Sequence, residues 1–326
     1  MTRLPDFELK RAASVDEAVA WLGAEPAARL LAGGTDLLPN LRRGIEHPAV
    51  LIDLGAVHGL SDIVLSEAGL RLGARVTLAR LAIDATIAQQ APALAEAARV
   101  VAGPGHRNAA TLGGNLCLDT RCVFYNQSEW WRAANQYCLK RGGDTCHVAP
   151  QGKRCHAAFS GDLAPALLVL GAEVELVSIR GVRRIALAEL YRDDGAAHLT
   201  LARDELLTGV RVPASAAGLR SAYRKARTRS AMDFALAGVA CALTLRDGVL
   251  AELRVAITGT NSNPILLAGC DDFIGRPVDA ELLHLLGKKV HKQVSPMRST
   301  VTQSNYRRLV AAVLAQRLVG ELSAAA

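Results

Sequence analysis

One segment limits what this 326-residue chain can fold into more than any other feature. It is formed by residues 122–155, CVFYNQSEWWRAANQYCLKRGGDTCHVAPQGKRC. This segment carries four of the seven cysteines, a Trp pair, two tyrosines and a phenylalanine, although aromatic residues make up only 4% of the chain. The sequence on either side is aliphatic and alanine-rich, as in an ordinary globular protein. The segment is therefore distinct in composition from the rest of the chain and needs an explanation of its own.

Composition restricts the class of protein. Half of the residues are apolar, which is enough to bury the cores of two or three domains. The N-terminal stretch lacks the apolar run of a secretion signal, and no run of about 18 uncharged apolar residues exists. We therefore expect a cytoplasmic protein without a membrane span. The net charge is +7, but the basic residues are scattered in runs of two at most. This distribution suits anionic ligands or an acidic partner better than nucleic acid.

Hydrophobic periodicity divides the chain into mixed helix and strand segments with a boundary near residue 215. Ser14, with Glu17 three residues later, has the pattern of a helix capping box. Residues 86–103 are predicted to form a helix that ends at Gly103, and a later strand is expected to stop at Pro213. Beyond the boundary we expect a sheet, with a hairpin turn at Asp247-Gly248, followed by two helices over 279–290 and 304–325.

Two glycine pairs lie where apolar segments give way to helices. These are Gly33-Gly34 in LLAGGTDLL and Gly113-Gly114 in RNAATLGGNLC. Glycine lets the backbone approach a ligand closely, and free amides in such a loop can bind a phosphate or pyrophosphate. Neither pair fits the GxGxxG fingerprint, and each taken alone is more simply explained as a tight turn. Together they favour a dinucleotide held between two subdomains.

Four segments in order resemble the FAD-binding medium subunit of the xanthine oxidase family, the molybdenum hydroxylases and their relatives. They are LLAGGTDLLPNLRRG, RNAATLGGNLC, SGDLAPALLVLGAEVEL and YRKARTRSAMDFALAGVACAL. The resemblance spans nearly the whole chain. It implies an α+β fold, with a two-subdomain FAD-binding domain of the vanillyl-alcohol-oxidase (PCMH) type and a small C-terminal sheet-and-helix domain. The corresponding divisions are 1–57, 58–215 with an insertion at 119–159, and 216–326.

The same resemblance implies where FAD binds. The first loop should wrap the pyrophosphate, the second should contact the phosphates and the flavin-proximal part, and Asp162 should hydrogen-bond the adenosine ribose or neighbouring hydroxyls. Lys225 should lie near the flavin ring, where a cation would stabilise a reduced, anionic flavin. A solvated basic patch with Arg224, Arg227 and Arg229 is the plainer explanation of Lys225. The predicted cofactor-binding residues are Leu31, Ala32, Gly33, Gly34, Thr35, Asp36, Leu37, Thr111, Gly114, Asn115, Asp162 and Lys225.

The cysteines of the insertion favour a metal site. Cys122, Cys138, Cys146 and Cys155 are separated by 15, 7 and 8 residues. A disulfide framework would need an oxidising compartment, and structural zinc usually shows closely spaced knuckle pairs. An inserted loop offers little core in which to bury four incidental thiols. Four thiolates suit an iron–sulfur cluster, with Trp130, Trp131 and Tyr137 available to exclude water. Spacing alone leaves both a cluster and zinc open.

The three other cysteines are simpler. We interpret Cys117 as a buried thiol and Cys241 and Cys270 as core or surface thiols. No nucleophile or general acid–base pair is expected on this chain.

One branch of the family, the 4-hydroxybenzoyl-CoA reductases, is distinguished by an insertion in its flavin subunit that binds an extra [4Fe-4S] cluster, and the present insertion resembles it. The resemblance implies electrons entering from ferredoxin and passing through the cluster and FAD to a [2Fe-2S] small subunit and a molybdenum-pterin large subunit, in a dimer of heterotrimers. Two alternatives stay open. One is the flavin subunit of a conventional xanthine, carbon monoxide or aldehyde dehydrogenase with a zinc-binding loop, and the other is a stand-alone flavoprotein.

Overall fold

The computed structural model describes residues 3–324, and within that range the chain forms twelve strands in three sheets and eleven α-helices. The strands are β1 (Glu8–Arg11), β2 (Arg29–Leu31), β3 (Val50–Asp53), β4 (Ile63–Ser66), β5 (Gly69–Gly73), β6 (Glu173–Ser178), β7 (Gly181–Ala186), β8 (Leu206–Pro213), β9 (Arg220–Ala226), β10 (Ala237–Arg246), β11 (Val249–Thr258) and β12 (Ile265–Leu266). The helices are α1 (Val15–Ala24), α2 (Leu37–Arg42), α3 (Leu78–Ile83), α4 (Ala85–Gln90), α5 (Pro92–Arg99), α6 (Pro104–Ala109), α7 (Leu112–Leu116), α8 (Glu129–Ala134), α9 (Leu163–Val169), α10 (Ala280–Gln293) and α11 (Ser304–Ala324).

The first sheet is parallel, with the order β1-β3-β2, and α1 connects its first two strands along the chain. The predicted cap of α1 is present, because the Ser14 hydroxyl accepts from the Glu17 amide at 3.1 Å. The Glu17 carboxylate in turn accepts from the amide of Ala13 at 2.7 Å. This reciprocal pair satisfies amides that the first helical turn leaves without partners. The first glycine loop lies between β2 and α2.

The second sheet is antiparallel, with the order β4-β5-β8-β6-β7, and its core continues into α3, α5 and α9. β4 and β5 form a hairpin, and β8 ends at Pro213 as expected. A proline stops a strand there because it has no amide to donate to the ladder. This sheet and its helices carry the second glycine loop.

The single helix predicted for residues 86–103 is wrong. The segment is split into α4 and α5 at Ala91, and α5 ends at Arg99 rather than at Gly103. Pro92 explains the break, because its ring disfavours the helical conformation of the residue before it, and Ala91 has φ −147°. Gly103 instead precedes α6 in an extended conformation.

The third sheet, ordered β12-β11-β10-β9, belongs to the C-terminal third. Its hairpin turns at Asp247 and Gly248, as predicted, and both residues have positive φ values. Residues on one face of β10, such as Val239 and Cys241, pack with α10 and α11, whereas Ala240 and Ala242 on the other face join the core of the second sheet. The sheet is therefore buried on both sides and connects the C-terminal helices to the rest of the fold.

Each of the three divisions predicted from the sequence contains one of the three sheets, and the bounds themselves stay a prediction. The cysteine-rich segment leaves and rejoins the fold at a two-residue antiparallel bridge between Arg121 and Ala158. Apart from α8 and one short 3-10 turn at Leu139–Arg141, residues 122–157 are irregular. We call these residues the cysteine insertion. Within residues 3–324, no helix has both the length and the apolar character needed to cross a bilayer.

Candidate functional site

The two glycine loops, 74 residues or more apart along the chain, meet in the fold. A Cβ atom added to Gly33 would lie 2.0 Å from the carbonyl oxygen of Ala109 and 3.1 Å from the Cα atom of Ala110. Those two residues immediately precede Thr111, which caps α7. Only glycine fits at position 33, because any side chain would collide with backbone. The two loops are therefore in contact, as a shared dinucleotide site requires, and the binding of a dinucleotide there stays a prediction.

The first loop presents free backbone donors. Within residues 3–324 the amides of Gly33, Gly34 and Thr35 donate no hydrogen bond, and the loop is only half-buried. Gly34 has φ +67°, a conformation that side-chain-bearing residues rarely adopt. Successive free amides in a glycine loop bind phosphate oxygens well. The predicted pyrophosphate loop, Leu31 to Leu37, therefore has the donor set that an FAD pyrophosphate requires.

The second glycine pair lies in the first turn of α7, which Thr111 caps. The Thr111 hydroxyl accepts from the Gly114 amide at 3.2 Å, and the side-chain oxygen of Asn115 accepts from the Leu163 amide at 3.0 Å. Thr111, Gly113 and Asn115 are buried, and Gly114 alone is exposed. A tight turn is therefore the wrong interpretation of this pair, because Gly113 and Gly114 belong to α7. Contacts of Thr111, Gly114 and Asn115 with the nucleotide stay predictions, with the Gly114 backbone the most accessible.

Asp162 and Lys225 contact each other. Lys225 Nζ lies 2.9 Å from Asp162 Oδ2, and both side chains are at most 3% exposed. The Tyr223 hydroxyl donates to Asp162 Oδ1 at 2.6 Å, and burial together with the Asp162 charge raises the pKa of Tyr223 well above its ordinary value. A solvated basic patch is therefore the wrong explanation of Lys225. The predicted contacts of both residues with the nucleotide stay predictions, and their charges already compensate each other.

The four cysteines of the insertion line one pocket that is partly open to solvent. They lie in four separate irregular stretches of the chain, so no short sequence spacing brings them together. The remaining cysteines lie elsewhere, as expected. Cys117 packs against the core of the second sheet, where burial raises its pKa to about 12, and Cys241 and Cys270 belong to the C-terminal core.

The four cysteines are the candidate ligand set for either a zinc ion or a [4Fe-4S] cluster. In the described part of the chain, no three His, Cys, Asp or Glu side chains are close enough together to bind one metal ion. Zinc would need sulfur atoms roughly 3.8 Å apart, since each Zn–S bond is about 2.3 Å in a tetrahedron. A [4Fe-4S] cluster takes one thiolate on each iron and spreads the four sulfur atoms around a larger core.

A backbone amide points at one of the sulfur atoms. The Ala157 amide donates to Cys155 Sγ at 3.4 Å. Burial raises the pKa of Cys122 and raises that of Cys155 to about 11. A buried thiol becomes a stable thiolate when a positive group, such as a metal centre or a basic side chain, compensates its charge. Amide donors to sulfur are among the features that tune iron–sulfur sites.

The residues around the pocket differ in part from those predicted. Phe124 and Tyr125 line it, together with Lys140 and His147. Trp131 contacts Phe124 with ring centroids 6.2 Å apart, but Trp130 is 78% exposed and cannot exclude water from the pocket. The sequence singled out neither Lys140 nor His147. The Lys140 ammonium lies 4.6 Å from the Tyr125 ring centre and is also bonded to Asp119 at 2.6 Å.

One arginine anchors the cysteine insertion to the first glycine-loop unit. The Arg132 side chain is buried and donates to the carbonyl of Gly44, just beyond α2, at 2.9 Å. It also donates to the carbonyls of Tyr125 and Gln127 and forms an ion pair with Glu129. Ile45 packs against Cys122 and Cys155 in the same small cluster. The pocket is therefore built on the flavin-loop unit rather than detached from it.

Comparison with known families agrees with this geometry. Residues 5–215 match the model described as the FAD binding domain in molybdopterin dehydrogenase, and residues 221–322 match the CO dehydrogenase flavoprotein C-terminal domain. The chain belongs to the FAD-binding subunits of the molybdenum hydroxylases. Its two glycine loops and its C-terminal sheet are thus those of an FAD-binding subunit of the xanthine oxidase and CO dehydrogenase type.

Named relatives of this FAD-binding subunit come from several enzymes. It is 33% identical over 281 residues to the aldehyde oxidoreductase FAD-binding subunit PaoB of Escherichia coli K12, which covers 81% of this chain and 85% of the relative. It is 28% identical over 319 residues to the xanthine dehydrogenase FAD-binding subunit of Escherichia coli O157:H7, covering 97% and 96%.

A solved structure has the same fold. The carbon monoxide dehydrogenase of Hydrogenophaga pseudoflava that lacks the Mo-pyranopterin moiety superposes with a TM-score of 0.82 at 23% identity, over 99% of both chains.

Proposed function

We propose that this chain is an electron-transfer subunit that binds FAD in the paired glycine loops and a [4Fe-4S] cluster in the four-cysteine pocket. One observation carries the second half of the proposal: Cys122, Cys138, Cys146 and Cys155 line a single pocket although they lie in four separate irregular stretches of the chain. The FAD half rests on family membership and on the free amides of the first loop. Substrate is expected to bind a partner subunit.

The residues of the chain supply binding and electrostatics. When bound, a flavin exchanges one or two electrons and an iron–sulfur cluster exchanges one, which is the chemistry of an electron relay. The first glycine loop would hold the anionic pyrophosphate. Four thiolates would hold the cluster, with Phe124 and Tyr125 limiting the access of water. Lys140, which lines the pocket, would partly offset the negative charge of the ligand set.

We propose more specifically the flavin subunit of a 4-hydroxybenzoyl-CoA reductase. The cysteine insertion directly after the second loop supports this assignment, because it resembles the insertion of that branch. The assignment brings with it a molybdenum-pterin large subunit, a [2Fe-2S] small subunit, a dimer of heterotrimers and ferredoxin as electron donor. Electrons would then run toward the molybdenum site, the reverse of the usual direction in the family.

A second candidate is the flavin subunit of a conventional xanthine, CO or aldehyde dehydrogenase. The names of the relatives favour it, since they include a xanthine dehydrogenase and an aldehyde oxidoreductase. For the overall reaction these names are at least as strong an argument as the insertion. The structural zinc of this candidate would be held by the same four cysteines.

Metal analysis of the anaerobically purified chain separates the candidates. We expect about four iron and four sulfide per FAD, a content that Cys138→Ser should abolish while FAD remains bound. Cys270→Ala, which removes a cysteine outside the pocket, should keep the iron and serves as the control. One zinc per chain, or no metal in the unaltered protein, would disprove the cluster and leave the FAD assignment standing.

The reaction itself is tested on the assembled complex. A reductase should remove the hydroxyl group of 4-hydroxybenzoyl-CoA when supplied with a low-potential one-electron donor. Turnover of xanthine or an aldehyde with a dye acceptor, without any reduction of 4-hydroxybenzoyl-CoA, would assign the conventional dehydrogenase. The docking of an acidic ferredoxin is proposed on charge alone, and electron-transfer rates that do not change with ionic strength would contradict it.

A further inference from the structure

The base of the cysteine insertion contains a buried arginine that contacts the first flavin loop. The Arg121 side chain is 10% exposed and forms a close ion pair with Asp36, at the end of the predicted pyrophosphate loop. Arg121 Nη1 also donates to the side-chain oxygen of Asn40 at 3.2 Å. Asn40 donates in turn to Asp36 Oδ2 at 3.1 Å. These three side chains form a closed network between the insertion and the loop.

The backbone of Arg121 fixes the neck of the insertion. Its amide donates to the carbonyl of Ala158 at 2.7 Å, and its carbonyl accepts from the Ala158 amide at the same distance. The next residue is Cys122, the first cysteine of the pocket. The guanidinium group also lies 5.3 Å from the ring centre of Phe234, in the loop after β9. One residue therefore touches the flavin loop, the insertion neck and the C-terminal part of the chain.

Charge explains why an arginine is needed there. The Asp36 carboxylate is part of a loop whose free amides are suited to bind a doubly charged pyrophosphate. Two anions side by side repel each other, and the repulsion is large where water is partly excluded. Arg121 neutralises Asp36 from the side of the insertion. Its buried Nε has no hydrogen-bond acceptor within the described residues, which leaves one donor for a ligand or an ordered water.

We propose that Arg121 is a positioning residue for FAD. It holds the Gly33–Asp36 loop in its binding conformation and cancels the charge of Asp36 beside the pyrophosphate. The inference rests on FAD binding, which family membership supports, and does not require the cluster. It means that the flavin site of this chain depends on a residue at the neck of the cysteine insertion.

The test measures the FAD dissociation constant of the apo-flavin form of the full chain by titration. We expect Arg121→Gln to weaken FAD binding by at least about tenfold, because Asp36 then stands uncompensated beside the phosphates. The FAD affinity of Arg121→Lys should lie between those of the unaltered chain and of Arg121→Gln. A lysine keeps the charge but cannot hydrogen-bond to Asp36 and Asn40 at the same time. Arg42→Gln is the matched control. It removes an equal charge from the exposed side of α2 and should change affinity less than twofold.

The double variant Arg121→Gln/Asp36→Asn distinguishes charge from simple loss of structure. Removing both charges should recover most of the affinity lost in Arg121→Gln. No recovery, or an Arg121→Gln affinity equal to that of Arg42→Gln, would overturn the proposal. Iron and sulfide are measured in every variant. If the unaltered chain contains no iron, the cluster is refuted and this test still stands. If Arg121→Gln keeps a normal iron content and an unchanged FAD affinity, only the role of Arg121 is refuted.

Discussion

The flavin loops and the cysteine insertion are two cofactor sites built by opposite means. The first glycine loop sits between β2 and α2, the second glycine pair lies in the first turn of α7, and both pack closely against neighbouring backbone. The cysteine insertion has one six-residue helix and is held by side chains, above all Arg132 and Lys140. The first site is formed by the fold itself. The second is a loop with little regular structure, so its pocket residues need stabilisation from another source.

The difference matters for how each site responds to loss of its ligand. A loop fixed by backbone packing keeps its shape without the nucleotide, as preformed ligand sites usually do. A loop of turns around four thiols gains much of its stability from the metal, because binding free energy is then also folding free energy. We therefore expect the flavin site to survive removal of the metal and the insertion to loosen.

Excising the insertion is the most severe test of this comparison. Joining Arg121 to Ala158 through a two-residue turn would preserve the bridge at the neck, since those two residues already pair. All iron should be lost, while the chain remains folded and still binds one FAD at saturating concentration. Iron, FAD content and far-ultraviolet circular dichroism measure the three outcomes. A chain that no longer folds would show that the insertion is part of the core rather than an addition to it.

Gly33→Ala should damage the flavin site with a smaller but still large effect. The added methyl group would lie 2.0 Å from the Ala109 carbonyl oxygen, so the two loops must separate. We expect at least about a hundredfold loss of FAD affinity, with the iron content unchanged. Gly105→Ala is the control, because a Cβ at that position meets no atom within 4 Å. Equal FAD affinity in the two variants would contradict the close approach of the loops.

Lys225→Met tests the buried ion pair that links the second loop region to β9. Removing the ammonium leaves the Asp162 carboxylate buried, with only Tyr223 as a partner. Such an uncompensated charge costs about 3–5 kcal/mol in the free energy of unfolding, measured by denaturant titration of the apo chain. Lys225→Met/Asp162→Asn should recover part of this loss. A single variant as stable as the unaltered chain would mean that the carboxylate gains water or a proton.

The smallest effect concerns His198, at the root of the insertion. Burial lowers its pKa from 6.5 to about 4, and its ring nitrogen donates to the Leu118 carbonyl at 3.0 Å. The unfolded chain therefore binds the proton on this histidine more readily than the folded chain does. The contribution of His198 to the free energy of unfolding is constant above pH 6.5 and is lost as the pH falls from 6.5 to 4. The total loss is up to about 3 kcal/mol. His198→Gln keeps a donor and should flatten that part of the stability profile of the apo chain. An unchanged slope would assign the acid sensitivity to other groups.

Local sequence signals predicted much of the secondary structure. Ser14 caps α1, Pro213 ends β8, and Asp247-Gly248 forms the hairpin turn, because each depends on the conformation of only a few neighbouring residues. The prediction of one helix up to Gly103 is wrong for an equally local reason, the restriction that Pro92 places on Ala91.

The cofactor residues show the same division between what local sequence determines and what it does not. The sequence by itself determined which residues can serve: two glycine pairs that free the backbone, and four cysteines in an insertion with little core. Only the tertiary structure decided which of them meet. It brought Gly33 against Ala109, paired Lys225 with Asp162, placed Phe124 and Tyr125 rather than Trp130 at the cysteine pocket, and set Arg121 on Asp36. These contacts join residues far apart in the chain, so no local conformational preference encodes them, and they form only when packing and burial of the whole domain are satisfied.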